Sequence, residues 1–253
     1  MPVIGEILPA GVAVSEVFAD DPAAFLFPEE EAAIARAVPG RRREFATARL
    51  CARRALAELG RPPAPLLPGA RGAPSWPAGV VGSMTHCEGY RAAAVARRGD
   101  FAALGIDAEP HRPLPAHVLE AVAVPAEHAR HRVLSATVPG VCWDRVLFCA
   151  KEAVYKAWFP RTGLPLEFGE ADIALRTDGS FTVRVRRRHP SPEHFTPLVY
   201  EGRWVATSAL VAAAVAEPAT ARPPPRGPYV PRTAEHGSAG PGRGRPRPGP
   251  RVR

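Results

Sequence analysis

Residues 79–107, GVVGSMTHCEGYRAAAVARRGDFAALGID, hold three short apolar runs, GVVGSMT, YRAAAVAR and FAALGID, parted by the turn-forming segments CEG and RGD. Apolar runs of this length between glycine-containing turns predict three strands with tight connections. Upstream, RRREFATARLCARRALAELG (41–60) follows a different period. Phe45, Ala48, Ala52, Ala55, Leu56 and Leu59 fall on one face of a helix, and Arg42, Arg49 and Arg53 on the other. A shorter helical piece, PEEEAAIARAV (28–38), precedes it across a break at Pro39-Gly40, and a proline-rich linker (61–74) leads from Gly60 to the strands.

Downstream of Pro110 and Pro113 the sequence is less regular until DRVLFCAKEAVYKAWF (144–159), a helix expected to stop at Pro160. Strands return in ADIALRT (171–177) and FTVRVRRR (181–188), on either side of the turn Asp178-Gly179. RWVATSALVAAAVA (203–216) closes the foldable part. Both halves run helix first and strands second, which predicts an α+β protein of two similar lobes, 1–106 and 107–217.

From Pro218 onward, proline, glycine and arginine dominate, and a segment so poor in core-forming residues is expected to stay disordered. It holds eight arginines and one acid, Glu235, so 218–253 carries +7 of the formal +8, and residues 1–217 only +1. The basic balance therefore bears on a polyanion partner only at the tail, which is expected to be an inert extension with a weak polyanion contact as the alternative, and no specific nucleic-acid partner is expected. Cys51, Cys87, Cys142 and Cys149 form no CxxC pair, and no disulfide framework is expected. There is no leader-like amino terminus and no run of about 18 uncharged apolar residues, so the expectation is a cytoplasmic protein.

Three constellations carry chemistry. Asp107 and Glu109 in GIDAEP alternate along a strand end, about 6.6 Å apart on one face. Two carboxylates so placed repel unless a cation lies between them, and hard oxygens suit Mg²⁺, whose shell phosphates and water complete. The plain alternative is a solvated surface pair. Second, the spacing of four in KEAVYK sets Glu152 beside Lys156 on the helix. The alternative here is an exposed ion pair, but Lys151 and Lys156 are the only lysines among 33 basic residues. A chain that otherwise uses arginine has kept a compact ammonium at these two places. Third, GSMTHC (82–87) clusters hydroxyls and His86 at a strand end suited to an anionic group, with Arg71 and the row from Arg41 as further potential phosphate ligands; the plain alternatives are a structural histidine and an exposed arginine face. There is no GxxxxGKS loop and no GxGxxG turn, which disfavours a nucleoside-triphosphate or dinucleotide site.

Taken in order, WPAGVVGSMTHCEGY (76–90), LGIDAEP (104–110) and WDRVLFCAKEAVYKAWFP (143–160), preceded by RRREFATARLCAR (41–53), resemble the Sfp-type 4′-phosphopantetheinyl transferases. The likeness runs from about Leu26 to Ala216 and is strongest to the bacterial branch serving polyketide, nonribosomal peptide and siderophore assembly. It implies a pseudodimer of two helix-plus-antiparallel-sheet lobes, acting as a monomer, with coenzyme A in the cleft. By the same resemblance, Asp107, Glu109 and Glu152 hold Mg²⁺ against the coenzyme A pyrophosphate. Arg41, Arg49, Arg71, Thr85 and His86 bind its nucleotide and phosphate groups, and Lys151 and Lys156 also face the phosphates. The implied reaction is attack by the serine of an apo acyl or peptidyl carrier protein on the β-phosphate. Asp107, Glu152 and Lys156 are the implied catalytic residues, with Glu152 taking the serine proton and Lys156 serving the leaving phosphate. Two other readings compete: a polyanion-binding module centred on the tail, and a magnesium-dependent phosphohydrolase using the same carboxylates.

Overall fold

A computed structural model describes residues 2–186 and 199–219. The end of the run expected at 181–188 and the basic tail beyond Ala219 lie outside the described residues. The three runs of the opening stretch are strands β2 (Val80–Cys87), β3 (Tyr90–Arg97) and β4 (Phe101–Pro110). β3 pairs antiparallel with β2 and with β1 (Ala13–Val17), giving a three-stranded sheet of order β1-β3-β2. β4 belongs to a second sheet, so the change of sheet falls in the turn at 98–100. That sheet also holds β5 (Ala171–Leu175), β6 (Ser180–Val185), β7 (Val199–Ala206) and β8 (Leu210–Pro218), in the antiparallel order β4-β8-β7-β6-β5.

Each sheet carries one helix of 20 residues: α2 (Pro39–Glu58) on the first and α5 (Trp143–Thr162) on the second. Alternation along the strands distributes the core. On β3, Ala93 and Val95 pack under Ala52, Ala55 and Leu56 of α2. Ala92, Ala94 and Ala96 face the other way and meet Leu104, Ile106 and Ala108 of β4 between the sheets. The opposite face of the second sheet, with Ala103, Ala213 and Val215, packs on α5 through Ala150, Ala153 and Ala157. The fold is thus α+β, two lobes packed sheet to sheet with a helix on each outer face. Hydroxyls tie the lobes together: Ser83 Oγ accepts the Ile106 N–H at 3.1 Å, and Thr85 Oγ1 the Ala108 N–H at 3.2 Å.

Several expectations change. Pro39 does not interrupt a helix but opens α2 at its first turn, where its missing N–H has no helical partner to lose. The preceding helix α1 (Pro28–Ala33) is shorter than the helical pattern. α5 runs through Pro160 and ends at Gly163, whose φ of 67° gives the left-handed cap. The stretch after Pro113 contains two helices the pattern did not show, α3 (Ala116–Val122) and α4 (Pro125–Thr137). No helix among the described residues is long and apolar enough to cross a membrane.

Candidate active site

Asp107 and Glu109 project from the face of β4 that α5 covers, and α5 lies against bare backbone there. A Cβ built on Gly105 would stand 2.0 Å from the Ala153 carbonyl oxygen, so only glycine permits this approach. The approach brings Glu152 and Lys156 beside Asp107. Asp107 is 5 % exposed. Its Oδ1 accepts from Lys156 Nζ at 2.7 Å and from Thr85 Oγ1 at 3.0 Å. Its Oδ2 is buried with no hydrogen-bond partner among the described residues. Buried carboxylate oxygens are rarely left so unless a further ligand belongs there.

Electrostatics couples the group. Burial, then the Asp107 charge, raise the Glu152 carboxyl above its ordinary value, with Lys156 opposing. Glu109 is raised by the same two causes, against the pull of Arg145 and Lys156. Burial works to lower the Lys156 ammonium, but Asp107 and Glu152 outweigh it, and its pKa is raised. No protein donor among the described residues is hydrogen-bonded to Glu152. Glu109 is engaged by Arg145 Nη1 at 3.1 Å. Among the described residues no three His, Cys, Asp or Glu side chains gather closely enough to hold a metal ion by themselves. The donor set still fits a hard cation completed by phosphate oxygens: an unpartnered buried oxygen on Asp107, a carboxylate on Glu152 without protein donors, and Glu109 at the rim.

Around this centre the expected anion ligands divide. Arg71 lies exposed in a short turn at φ 53°, an uncommon left-handed conformation for a residue with a side chain. It borders two small cavities, of about 200 Å³ each, shared with Glu152 and Tyr155. Arg41 donates to His86 Nε2 and to Glu44 at 3.3 Å, so these residues share one patch beside the amino-terminal end of α2. His86 keeps 39 % of its side chain exposed, and it is partial burial, with Arg41 next, that pulls it down to about 4, so it is a neutral acceptor at pH 7. Thr85 reaches Asp107 rather than open solvent.

Two expectations are corrected. Arg49 does not lie on an exposed helix face: it is 6 % exposed, with Nε donating to the Leu66 carbonyl at 3.0 Å and the Glu30 carboxylate 3.7 Å away as an ion pair. Burial foremost lowers it to about 10. Arg53, from the same supposed polar face, is buried on Glu30 at 3.1 Å. Lys151 borders the cavity shared by Arg71, Glu152 and Tyr155, but its ammonium is turned into the protein. Its side chain is 1 % exposed, paired with Glu127 at 2.9 Å. Both corrections have one cause: a buried acid far away in sequence draws the cation inward. Sequence reasoning also missed Arg145. Arg145 stands seven positions before Glu152, two helical turns along one face, which was a usable signal.

Residues 29–96 match the family described as 4'-phosphopantetheinyl transferase N-terminal domain, and residues 103–212 the 4'-phosphopantetheinyl transferase superfamily. The chain is 54 % identical over 222 residues to 4'-phosphopantetheinyl transferase Svp of Streptomyces mobaraensis, spanning 86 % of this chain and 90 % of the relative. It is 46 % identical over 222 residues to PptT of Mycobacterium tuberculosis, covering 84 % and 96 % of the two chains. Npt of Nocardia iowensis is also 46 % identical, with 84 % and 99 % covered. Two family matches spanning most of the described chain, with relatives this similar over nearly their whole length, show that the chain belongs to the 4′-phosphopantetheinyl transferase superfamily.

Proposed function

We propose that this chain transfers the 4′-phosphopantetheine arm of coenzyme A to a serine of an apo acyl or peptidyl carrier protein, releasing adenosine 3′,5′-bisphosphate. The observation that carries the reading is Asp107: a buried carboxylate with one oxygen unpartnered, set between Lys156 and Glu152 where β4 meets α5. Asp107, Glu152 and, at the rim, Glu109 would hold Mg²⁺. Its chemistry there is to neutralise charge on the transferring phosphoryl group and to template the attack. Glu152, raised in pKa and without a protein donor among the described residues, takes the serine proton directly or through a water. Lys156 serves the leaving phosphate. Arg71 extends cationic reach over the groove shared with Glu152 and Tyr155, and the Arg41–His86 patch takes the nucleotide end. Arg49 and Lys151 support the scaffold. Both lobes come from one chain, so the active form is a monomer. Its setting is the cytoplasm, with polyketide and nonribosomal peptide carriers as substrates.

The test is incubation with coenzyme A, Mg²⁺ and a panel of apo-carriers, read by intact mass. A gain of one phosphopantetheine on a carrier supports the proposal. Cleavage of coenzyme A with every carrier unmodified selects the hydrolase instead.

A further inference from the structure

Lys151 immediately precedes Glu152 on α5, yet its ammonium points into the protein. An ammonium has three donors, and here all three are taken. The Phe168 carbonyl accepts at 2.7 Å, the Ala171 carbonyl at 2.8 Å, and the Glu127 carboxylate lies at 2.9 Å. Glu127 is equally committed, because it also accepts the Val124 and Ile173 N–H groups, each at 2.7 Å. Burying two charges is repaid only where every donor and acceptor finds a partner, and this pair meets that condition. The pair therefore joins α5 to α4, to the turn at Phe168 and to the start of β5. Lys151 itself, with Leu166, Phe168 and Ala171, lines the same cavity as Glu152, Tyr155 and Arg71, but its ammonium is spent on the wall rather than on the open space. The wall opposite Glu152 is tied to the helix that carries Glu152 through Lys151.

We propose that Lys151 is a positioning residue: with Glu127 it holds the 165–171 wall against α5 and keeps Glu152 turned into the groove, and it makes no contact with coenzyme A phosphates. The proposal rests on the reading of Glu152 as a site residue. It departs from the expectation, drawn from the resemblance, that both lysines of this helix face the phosphates.

The experiment compares wild type with Lys151→Met, Glu127→Gln and the double variant. Thermal unfolding, coenzyme A affinity by calorimetry, and kcat and KM for an apo-carrier are measured for each. Each single change strands a buried charge, so Tm should fall by roughly 10 °C. Turnover should drop about tenfold to a hundredfold as the groove loses its geometry. Coenzyme A affinity of Lys151→Met should stay within about twofold of wild type, since no phosphate contact is lost. The double variant strands no charge and should regain most of both Tm and turnover. A rise of about tenfold or more in the coenzyme A Kd of Lys151→Met, unrelieved by Glu127→Gln, assigns the lysine to the phosphates and overturns the proposal. A double variant that stays slow, or single variants as fast as wild type, overturns it as well. If the single variants do not fold, the double variant alone decides by the same two readouts. Glu152→Gln is run alongside: full turnover there would defeat the reading of the site itself, whatever Lys151 does.

Discussion

Lys156 is the residue where a surface ion pair and a catalytic ammonium make opposite predictions. Its neighbour on the helix, Glu152, was the expected partner, but Nζ instead donates to Asp107 Oδ1 at 2.7 Å across to β4, with the side chain 27 % exposed. Arginine keeps the positive charge yet is broader, planar and, with a pKa above about 12, unable to give up a proton. Lys156→Arg should therefore lower holo-carrier formation by about a hundredfold, while coenzyme A binding moves only a few fold. The two rates and the binding constant, measured side by side, settle it, and an arginine variant as fast as wild type removes Lys156 from catalysis. His86 makes a second residue-scale prediction, about pH. Its folded pKa of about 4 lies below the unfolded value of 6.5, so the unfolded chain binds more protons between the two. The stability contribution is present above about 6.5 and lost as pH falls toward 4. His86→Gln should therefore narrow the difference in Tm between pH 7 and pH 5, and an unchanged difference would show that the imidazole is already solvated.

At the scale of elements, the contact between β4 and α5 makes the site, and it depends on an absent side chain. Gly105→Ala would place a methyl 2.0 Å from the Ala153 carbonyl and 2.7 Å from the Ala157 nitrogen, both rigid helical backbone. The helix must move off the strand, carrying Glu152 and Lys156 away from Asp107. Overpacking of this kind costs about 1–3 kcal/mol or more. Gly105→Ala should unfold at a temperature lower by several degrees and lose most transfer activity even where it stays folded. Thermal unfolding and the carrier mass assay, run on one preparation, separate the two effects, and a variant of wild-type Tm and activity would show that α5 has slack. The elements themselves were largely legible. Strands β2 to β4 follow from short apolar runs between glycine turns, and α5 from its period of 3.6 and the two lysines. Other features depend on distant partners. Arg49 and Arg53 read as polar-face residues, because Glu30, which buries them, stands about 20 positions upstream. Lys151 read as a phosphate ligand for the same reason: Glu127 is on another helix, α4, whose own pattern is too weak to announce it. Gly105 inside a strand pattern was the one local sign of a close backbone approach, and sequence reasoning passed over it.

For the whole molecule, charge and chemistry are segregated. Every charged residue proposed for the site lies between Arg41 and Lys156 in a part of the chain with a formal charge near +1, while 218–253 carries +7. The fold also fixes where the tail can be cut. Phe101 pairs with Pro218 at the end of β8, and the Ala219 N–H donates to the Asp100 carbonyl at 2.9 Å. A truncation at 217 would therefore remove pairing from the strand beside β4, and a loss of activity would report on the sheet rather than on the tail. Ending the chain at Thr220 avoids this. If the arginines serve nothing in the reaction, that truncation should transfer phosphopantetheine within about twofold of the full chain at every ionic strength. If they steer acidic carriers toward the cleft, the full chain should be faster at low salt. The advantage should then shrink as the screening length falls from about 30 Å at 0.01 M to about 8 Å at 0.15 M. We expect the first outcome, because the groups proposed to face the phosphates all sit on the lobes. The measurement is kcat/KM for an apo-carrier across that salt range, for both chains. A deficit in the truncated protein that does not fade with salt would mean that the tail makes a specific contact, and would move it into the functional part of the molecule.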